Sequence, residues 1–197
     1  MSTGLWVAIG IVILIVIFGY SWYVSIIKRR NEAQSALSSI DVQLRKRYDL
    51  VPNIVRLAQN FMTHEKDLMN RLTELRSQLG QPYSKDDPDQ VADRLSKAQE
   101  LNAGLGRIFA VAENYPELKS SETIIQAQQT FEEVEANIAA ARRFYNSAVT
   151  RLNNAVQIFP GSIFASMAGV KEMPFYEIED PAARQPVNVD DYMKPAD

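Results

Sequence analysis

The twenty residues "IDVQLRKRYDLVPNIVRLAQ", Ile40–Gln59, decide how this chain folds. Apolar side chains recur in the stretch at helical spacing. Yet five of the nine residues from Asp41 to Asp49 are Asp, Lys or Arg, and Pro52 falls where a helix is still in progress. A proline inside a helix removes a backbone hydrogen bond and crowds the preceding turn. Either the helix runs on through Pro52 with a kink, or it stops and restarts with Asp49 as N-cap and Pro52 in the new first turn. The apolar register is the same on both sides of the proline, which a turn would not require, so a continuous helix is the expectation.

The register extends well beyond this stretch. It starts at Ala33 and Leu37 and passes through Ile40, Leu44, Tyr48, Val51, Ile54, Ala58 and Phe61. After Glu65 it continues through Leu68, Leu72, Leu75 and Leu79. This reads as one helix with few interruptions, closed by the turn-rich "GQPYSKDDPD", Gly80–Asp89. A second helix is expected from about Asp89 to Asn114, with Val91, Leu95, Ala98, Leu101 or Asn102, Leu105, Ile108 and Ala112 inward. Gly104 and Gly106 weaken its middle and leave room for another helix to come close. After "NYPELKSSE" a third helix is expected from about Ser121 to Ile158. It carries the cleanest heptad pattern of the chain: Phe131, Val134, Ile138, Ala141, Tyr145, Ala148, Leu152, Ala155 and Phe159. No strand pattern survives elsewhere, apart from an extended "MPFYEIED". The fold class is therefore all-α, an antiparallel helical bundle of three long helices, or four if the chain breaks at Pro52.

The N-terminus sets the broad class. "LWVAIGIVILIVIFGYSWYVSII", Leu5–Ile27, carries no charge. At ~1.5 Å per residue it can cross a ~30 Å hydrocarbon layer with some tilt. Trp6 at one end and Tyr20, Trp22 and Tyr23 near the other suit the membrane interfaces. A cleaved signal peptide would want a basic leader and a small-residue cleavage site, and residues 1–27 hold no Lys or Arg and no A-x-A follows. Lys28, Arg29 and Arg30 come next. By the positive-inside rule they place the N-terminus outside and the bundle in the cytoplasm. The organisation is then an anchor over 1–27, a bundle over 28–160, and over 161–197 a short apolar segment with an extended tail. "SIFASMAGV" fits a short helix on a membrane, on a partner or on the bundle end. Within "MPFYEIED", Phe175, Tyr176 and Ile178 want cover. From Pro181 the Pro- and Asp-rich chain is expected to be disordered.

Length arithmetic carries an inference about partners. A helix from the membrane to Leu79 rises ~75 Å, and a second helix of about 26 residues returns only half that distance. Lys28–Tyr48 would then lack a long partner within the chain, although its apolar stripe needs cover. Other copies of the protein are the economical answer, so a homo-oligomer is expected. If the helix breaks at Pro52 the stem completes a four-helix bundle and this reason disappears. The charges fit either picture. Asp41, Arg45 and Asp49 share one helix face at i, i+4 and i+8, as a solvated ladder or as an inter-subunit or inter-helix network, with Arg47 beside the core.

Those residues also carry a resemblance. "IDVQLRKRYDLVPNIV", "NYPELKSSE", "ANIAAARRFYNSAVTRLNNAVQIFP" and "PFYEIED" resemble, in order and spacing, the LemA family of bacterial membrane-anchored proteins, from the anchor to about Asp180. The family's signature positions fall on Asp41, Gln43, Leu44, Arg47, Asp49, Pro52 and Asn53. Later ones fall on Tyr115, Pro116, Ala141, Arg142, Arg143, Tyr145, Asn146, Phe159 and Pro160. The resemblance implies a single N-terminal anchor with the N-terminus outside, a cytoplasmic helical bundle and a membrane-linked role, and it implies no established catalytic activity.

Composition narrows the chemistry. The net charge is −3, against a nucleic-acid partner, and there is no cysteine, which excludes disulfides, thiolate metal sites and a thiol nucleophile. The single histidine, His64 in "THEKDLM", has Leu68 where a zinc helix needs a second histidine, so it reads as structural. Glu132, Glu133 and Glu135 lack the Glu-x-x-His pairs of a di-iron bundle and read as a solvated face with one member flanking the core. Arg142 and Arg143 could hold phosphate, and more often such arginines satisfy carboxylates on a neighbouring helix. No cofactor, metal or catalytic residue is expected. The reading is a non-enzymatic, membrane-anchored oligomeric scaffold whose partner is the lipid bilayer and its own copies. The alternative is an adaptor for membrane quality control that recruits a membrane protein through "IFASMAG" and "MPFYEIED".

Overall fold

A computed structural model describes residues 3–62 and 65–177. His64, Ile178 and the Pro- and Asp-rich tail lie outside the described residues. The first helix, α1, spans Thr3–Ala58 and runs unbroken through Pro52. It is followed by α2 (Lys66–Leu79), α3 (Pro88–Ala112), the single turn α4 (Pro116–Lys119), α5 (Glu122–Gln157) and a short α6 (Gly161–Met167). Among the described residues there is no strand. The start of α3 has a clear cause. The Asp87 carboxylate accepts from the backbone N–H groups of Asp89 and Gln90, and Pro88 takes the first helical position, where no N–H is needed.

The continuous reading across Pro52 holds, but the expected helix to Leu79 does not. The chain turns at 59–62 instead, where the N–H groups of Phe61 and Met62 both bond to the Ala58 carbonyl. The apolar register carries through because Met62 is fully buried and Phe61 half-buried at the bundle end. A turn that plugs the core with apolar side chains looks, in sequence, like more helix. The bundle thus has four long helices, as a break at Pro52 would have produced, but α1 ends at Ala58 and α2 starts at Lys66.

That change of position reverses every later helix. α2 descends from the far end and α3 climbs beside it, with Gly104 facing Leu72 so closely that a Cβ there would lie 2.7 Å from Leu72 Cδ2. α5 then descends the full length of the bundle against α1. The direction is fixed by two contacts: Arg47 of α1 meets Glu135, and Arg29, lower on α1, donates to the Arg151 carbonyl at 3.0 Å. The stem stripe Ala33, Leu37, Ile40, Leu44 and Tyr48 is buried inside one chain. The need for a second copy to cover it, the reason given above for an oligomer, is removed. The remaining expected core positions on α3 and α5 are buried or half-buried, save Phe159, which lies beyond the end of α5 and is exposed.

After α6 the chain passes Gly169 (φ 64°), in the left-handed region that glycine tolerates. It then lies as a segment without helix or strand over 170–177. Its buried residues are Val170, Met173 and Tyr176, every third one. This is the period of an extended polyproline-type strand laid on a surface.

Candidate interaction site

Three polar groups built from the charged stretch and α5 organise the bundle. The first centres on Asp41. Its carboxylate takes the Arg94 guanidinium at 2.9 Å, the Lys85 ammonium at 3.1 Å and the Tyr83 hydroxyl at 2.8 Å. The Arg94 guanidinium also covers the Tyr83 ring at 4.2 Å and donates to the Leu79 carbonyl. One carboxylate of α1 therefore fixes the α2–α3 connection. The Asp41–Arg45–Asp49 ladder does not form. Arg45 and Asp49 are exposed and make no ion pair among the described residues. They line, with Tyr48, Arg76 and Arg94, an open cleft of about 450 Å³. The inter-helix reading of the charges is right for Asp41, within one chain.

The second group centres on Arg47, which lies in the core rather than beside it, with 1% of its surface exposed. It pairs with Glu135 of α5 and lies 5.6 Å from the Phe131 ring centroid. Burial lowers its pKa, opposed by the Glu135 charge and by the Tyr176 hydroxyl beside it. An arginine still stays cationic at any working pH, so the pair is an ion pair. Glu132 and Glu133 are exposed and Glu135 is the one core-flanking glutamate. Around Arg47 opens a cleft of about 530 Å³ between α3, α5 and the C-terminal segment, lined also by Gln99, Asn102, Arg142 and Tyr176. Arg47 Nε and Asn102 Oδ1 are buried without a hydrogen-bond partner among the described residues.

The third group is a pair of asparagine clamps. Asn153 Nδ2 donates to the Met173 carbonyl and the Met173 N–H donates to Asn153 Oδ1, both at 2.9 Å. Asn146 repeats the pattern on Tyr176, at 3.1 and 2.9 Å. The two asparagines stand seven residues apart, two turns of α5, and each satisfies both backbone groups of one residue in the segment. Tyr145 donates to the Pro174 carbonyl between them at 2.8 Å. Burial pushes the Tyr145 hydroxyl above its ordinary pKa, so it remains a donor.

The expected site residues therefore separate. Arg47, Arg142, Tyr145, Asn146 and Tyr176 converge on the C-terminal segment, where the Arg142 guanidinium lies 5.9 Å from the Tyr176 ring. Asp41, Tyr48, Arg45 and Asp49 share the other cleft, and Leu44 is core. Gln43 is half-buried, with its Oε1 buried and unpartnered among the described residues. Pro52 and Asn53 lie further up α1. Tyr115 packs against the core just before Pro116 opens α4 at the far turn. Arg142 and Arg143 satisfy no carboxylate among the described residues, and Arg143 is exposed. Of the pair expected to meet a partner, Tyr176 is 4% exposed and already covered, while Phe175 is 43% exposed.

Near the membrane, Trp6 and Tyr23 are exposed, Trp22 is half-buried with Phe18 edge-on at 6.3 Å, and Lys28 is exposed. Arg29 reaches α5, and Arg30 lies 3.7 Å from Asp86. Sequence reasoning missed Asn153 and Arg94, and named Asn102 only as an alternative inward position on α3. The available signal for Asn153 was a polar residue on the apolar face of α5, adjoining Leu152.

The family profile of LemA matches residues 36–190, most of the chain. The chain belongs to the LemA family. Two magnetosome proteins of Paramagnetospirillum magneticum, MamQ 1 and MamQ 2, are each 24% identical to this LemA protein over 186 residues, covering 84% of it and 68% of the relative. MamQ of Magnetospirillum gryphiswaldense is 22% identical over 185 residues, with the same coverage. With its long apolar N-terminal helix, whose apolar window is wholly unburied within the protein, this LemA chain is a membrane-associated helical protein. Among the described residues no three acidic or histidine side chains are grouped to hold a metal.

Proposed function

We propose that this protein is a non-enzymatic scaffold of the bacterial inner membrane that organises the bilayer or the proteins in it, with its bundle in the cytoplasm. One observation carries the reading: α1 passes without a break from its apolar anchor into the core of the bundle. A helix that belongs to both fixes the height and orientation of the bundle on the membrane. An adaptor that searches for clients is better served by a loose tether. The magnetosome relatives support a role at a specialised structure over one in soluble metabolism. Lys28, Arg29 and Arg30, just past the apolar stretch, support the cytoplasmic side. Self-association, no longer needed to cover the stem, would join whole folded bundles.

The test is light scattering on the full-length protein in mild detergent. A scaffold gives a regular homo-oligomer that persists on dilution through the micromolar range. A monomer whose size changes only with added membrane protein would put the adaptor reading first. Phe175→Ala then becomes its probe, since Tyr176 is taken up inside the fold.

A further inference from the structure

From the last charge of α5, Arg151, to the next in the chain, Lys171, no residue is charged. This stretch includes the turn at Ile158–Pro160 and all of α6. Its outward side chains are large and apolar: Ile158 is 60% exposed, Phe159 76%, Ile163 52% and Met167 73%. Its inward side packs on the anchor itself. Phe164 sits against Gly19, where a Cβ would lie 3.3 Å from its ring, and Gly161 faces Trp22. Gly161 cannot be larger, because a Cβ there would lie 2.2 Å from the Ala155 carbonyl oxygen. Ile26, inside the uncharged stretch, is fully buried by the bundle.

The lengths then decide where this end of the bundle sits. Every residue from Thr3 to Phe18 is exposed, and from Gly19 onward the anchor is flanked by α6 and the end of α5. Leu5–Phe18 is only ~21 Å of helix, short of the ~30 Å hydrocarbon layer. Filling that layer takes about six more residues, to Val24 or beyond. Gly19 and Trp22 are then inside the bilayer, and α6, in contact with both, is there with them. Gly19 lies ~13 Å along the helix from Lys28, a depth that suits an apolar face set at the boundary of headgroups and acyl chains.

We infer that the Ile158–Met167 corner is a second membrane-inserted element. Its exposed Ile158, Phe159, Ile163 and Met167 lie in the leaflet on the bundle side, so the bundle is partly sunk into the membrane rather than held above it. The inference rests on the reading of α1 as the membrane anchor. It identifies the partner of this surface as lipid acyl chain, and it gives the scaffold a wedge on one side of its anchor.

The absence of native cysteine makes the test direct. Single cysteines replace Phe159, Ile163 or Met167 in the full chain, with Leu14→Cys as the anchor control. Phe144→Cys, about 20 Å up α5 from its end, is the aqueous control. Each is spin-labelled in phosphatidylglycerol–phosphatidylethanolamine vesicles, and oxygen and nickel-chelate accessibilities are compared. The expected oxygen-to-nickel ratio at 159, 163 and 167 exceeds that at 144 by fivefold or more, approaching that at 14. Ratios equal to that at 144, with 14 reading as lipid, overturn the inserted corner and leave the anchor standing. Low access to both reagents at 159, 163 and 167 means protein covers the corner, and also overturns it. A water-like reading at 14 overturns the anchor and the corner together.

Discussion

Replacing Asn153 by Ala should release the C-terminal segment from α5 while leaving the four helices in place. Asn153 is 9% exposed and Met173 8%, so water does not replace the lost amide. The change removes two hydrogen bonds of 2.9 Å and strands the N–H and C=O of Met173. A buried backbone group left unpaired costs about 1–3 kcal/mol, so the pair costs about 2–4 kcal/mol after some relaxation. The segment has no helix or strand of its own and is held by side-chain hydrogen bonds from α5, so the cost falls on local opening rather than on global unfolding. At tenfold per ~1.4 kcal/mol, the Met173 amide should exchange with deuterium roughly 30- to 1,000-fold faster. The Tyr176 amide should follow, while Leu101 and Leu105 in α3 keep their protection. Asn153→Asp should be no better. Its carboxylate can still accept from the Met173 N–H but sets a second oxygen against the Met173 carbonyl. Asn146→Ala, at a partly exposed site, should act in the same direction by about 1–2 kcal/mol. Exchange at Met173 unchanged within threefold in Asn153→Ala would refute the clamp.

Glu135→Ala should destabilise more than Arg47→Met, by about 1–3 kcal/mol in urea unfolding, because it leaves a buried guanidinium without its carboxylate while Met keeps the packing. The double variant should match Arg47→Met alone, and a simple sum of the two losses would contradict the pairing. Asp41→Asn should cost about 1–3 kcal/mol and loosen the Gly80–Asp87 connection, read as faster proteolysis there. Alkaline pH should destabilise the bundle. Burial holds Tyr48 up at about 12, and Tyr83, Tyr145 and Tyr176 are also shifted upward. Above pH 10 the unfolded chain therefore loses protons that the folded one keeps. Stability is full below pH 10 and falls above it, with Tyr48 alone contributing up to about 2–3 kcal/mol by pH 12. The midpoint in Tyr48→Phe should fall less steeply between pH 9.5 and 11 than in the parent. Among glycines, Gly106→Ala meets open space and should stabilise α3 by about 0.5–1 kcal/mol, whereas Gly161→Ala meets backbone and should cost about 1–3 kcal/mol.

Helix content and direction of burial were legible because a 3–4 apolar period writes them residue by residue, and the family was legible from its motifs. Ala33 to Ala58 and Phe131 to Ala155 were read nearly as they lie. The turn at 59–62 was not, because Phe61 and Met62 close the core in the same register a helix would have used. One misplaced turn then misdirected α5 and created a stem with no partner. Asp41 and Arg47 could be singled out as charges on a helix near the core. Their partners Arg94, Tyr83 and Glu135 are 42 to 88 residues away along the chain, and nothing local marks them. The asparagine clamps hide for another reason. A side-chain amide that serves an irregular segment leaves no periodic trace except its own polarity on an apolar face.

The central claim is that one stiff helix joins membrane and bundle, and the distance between two labels on it tests that claim most directly. Tyr23→Cys and Val42→Cys place nitroxides on exposed positions on either side of the Lys28–Arg30 boundary. Their separation is measured by pulsed electron resonance in vesicles, with labelled protein diluted into unlabelled protein. Nineteen residues of unbroken helix predict a single narrow distribution near ~28 Å. A broad distribution, or a principal distance well below that value, would mean a hinge at the membrane surface and would contradict the account.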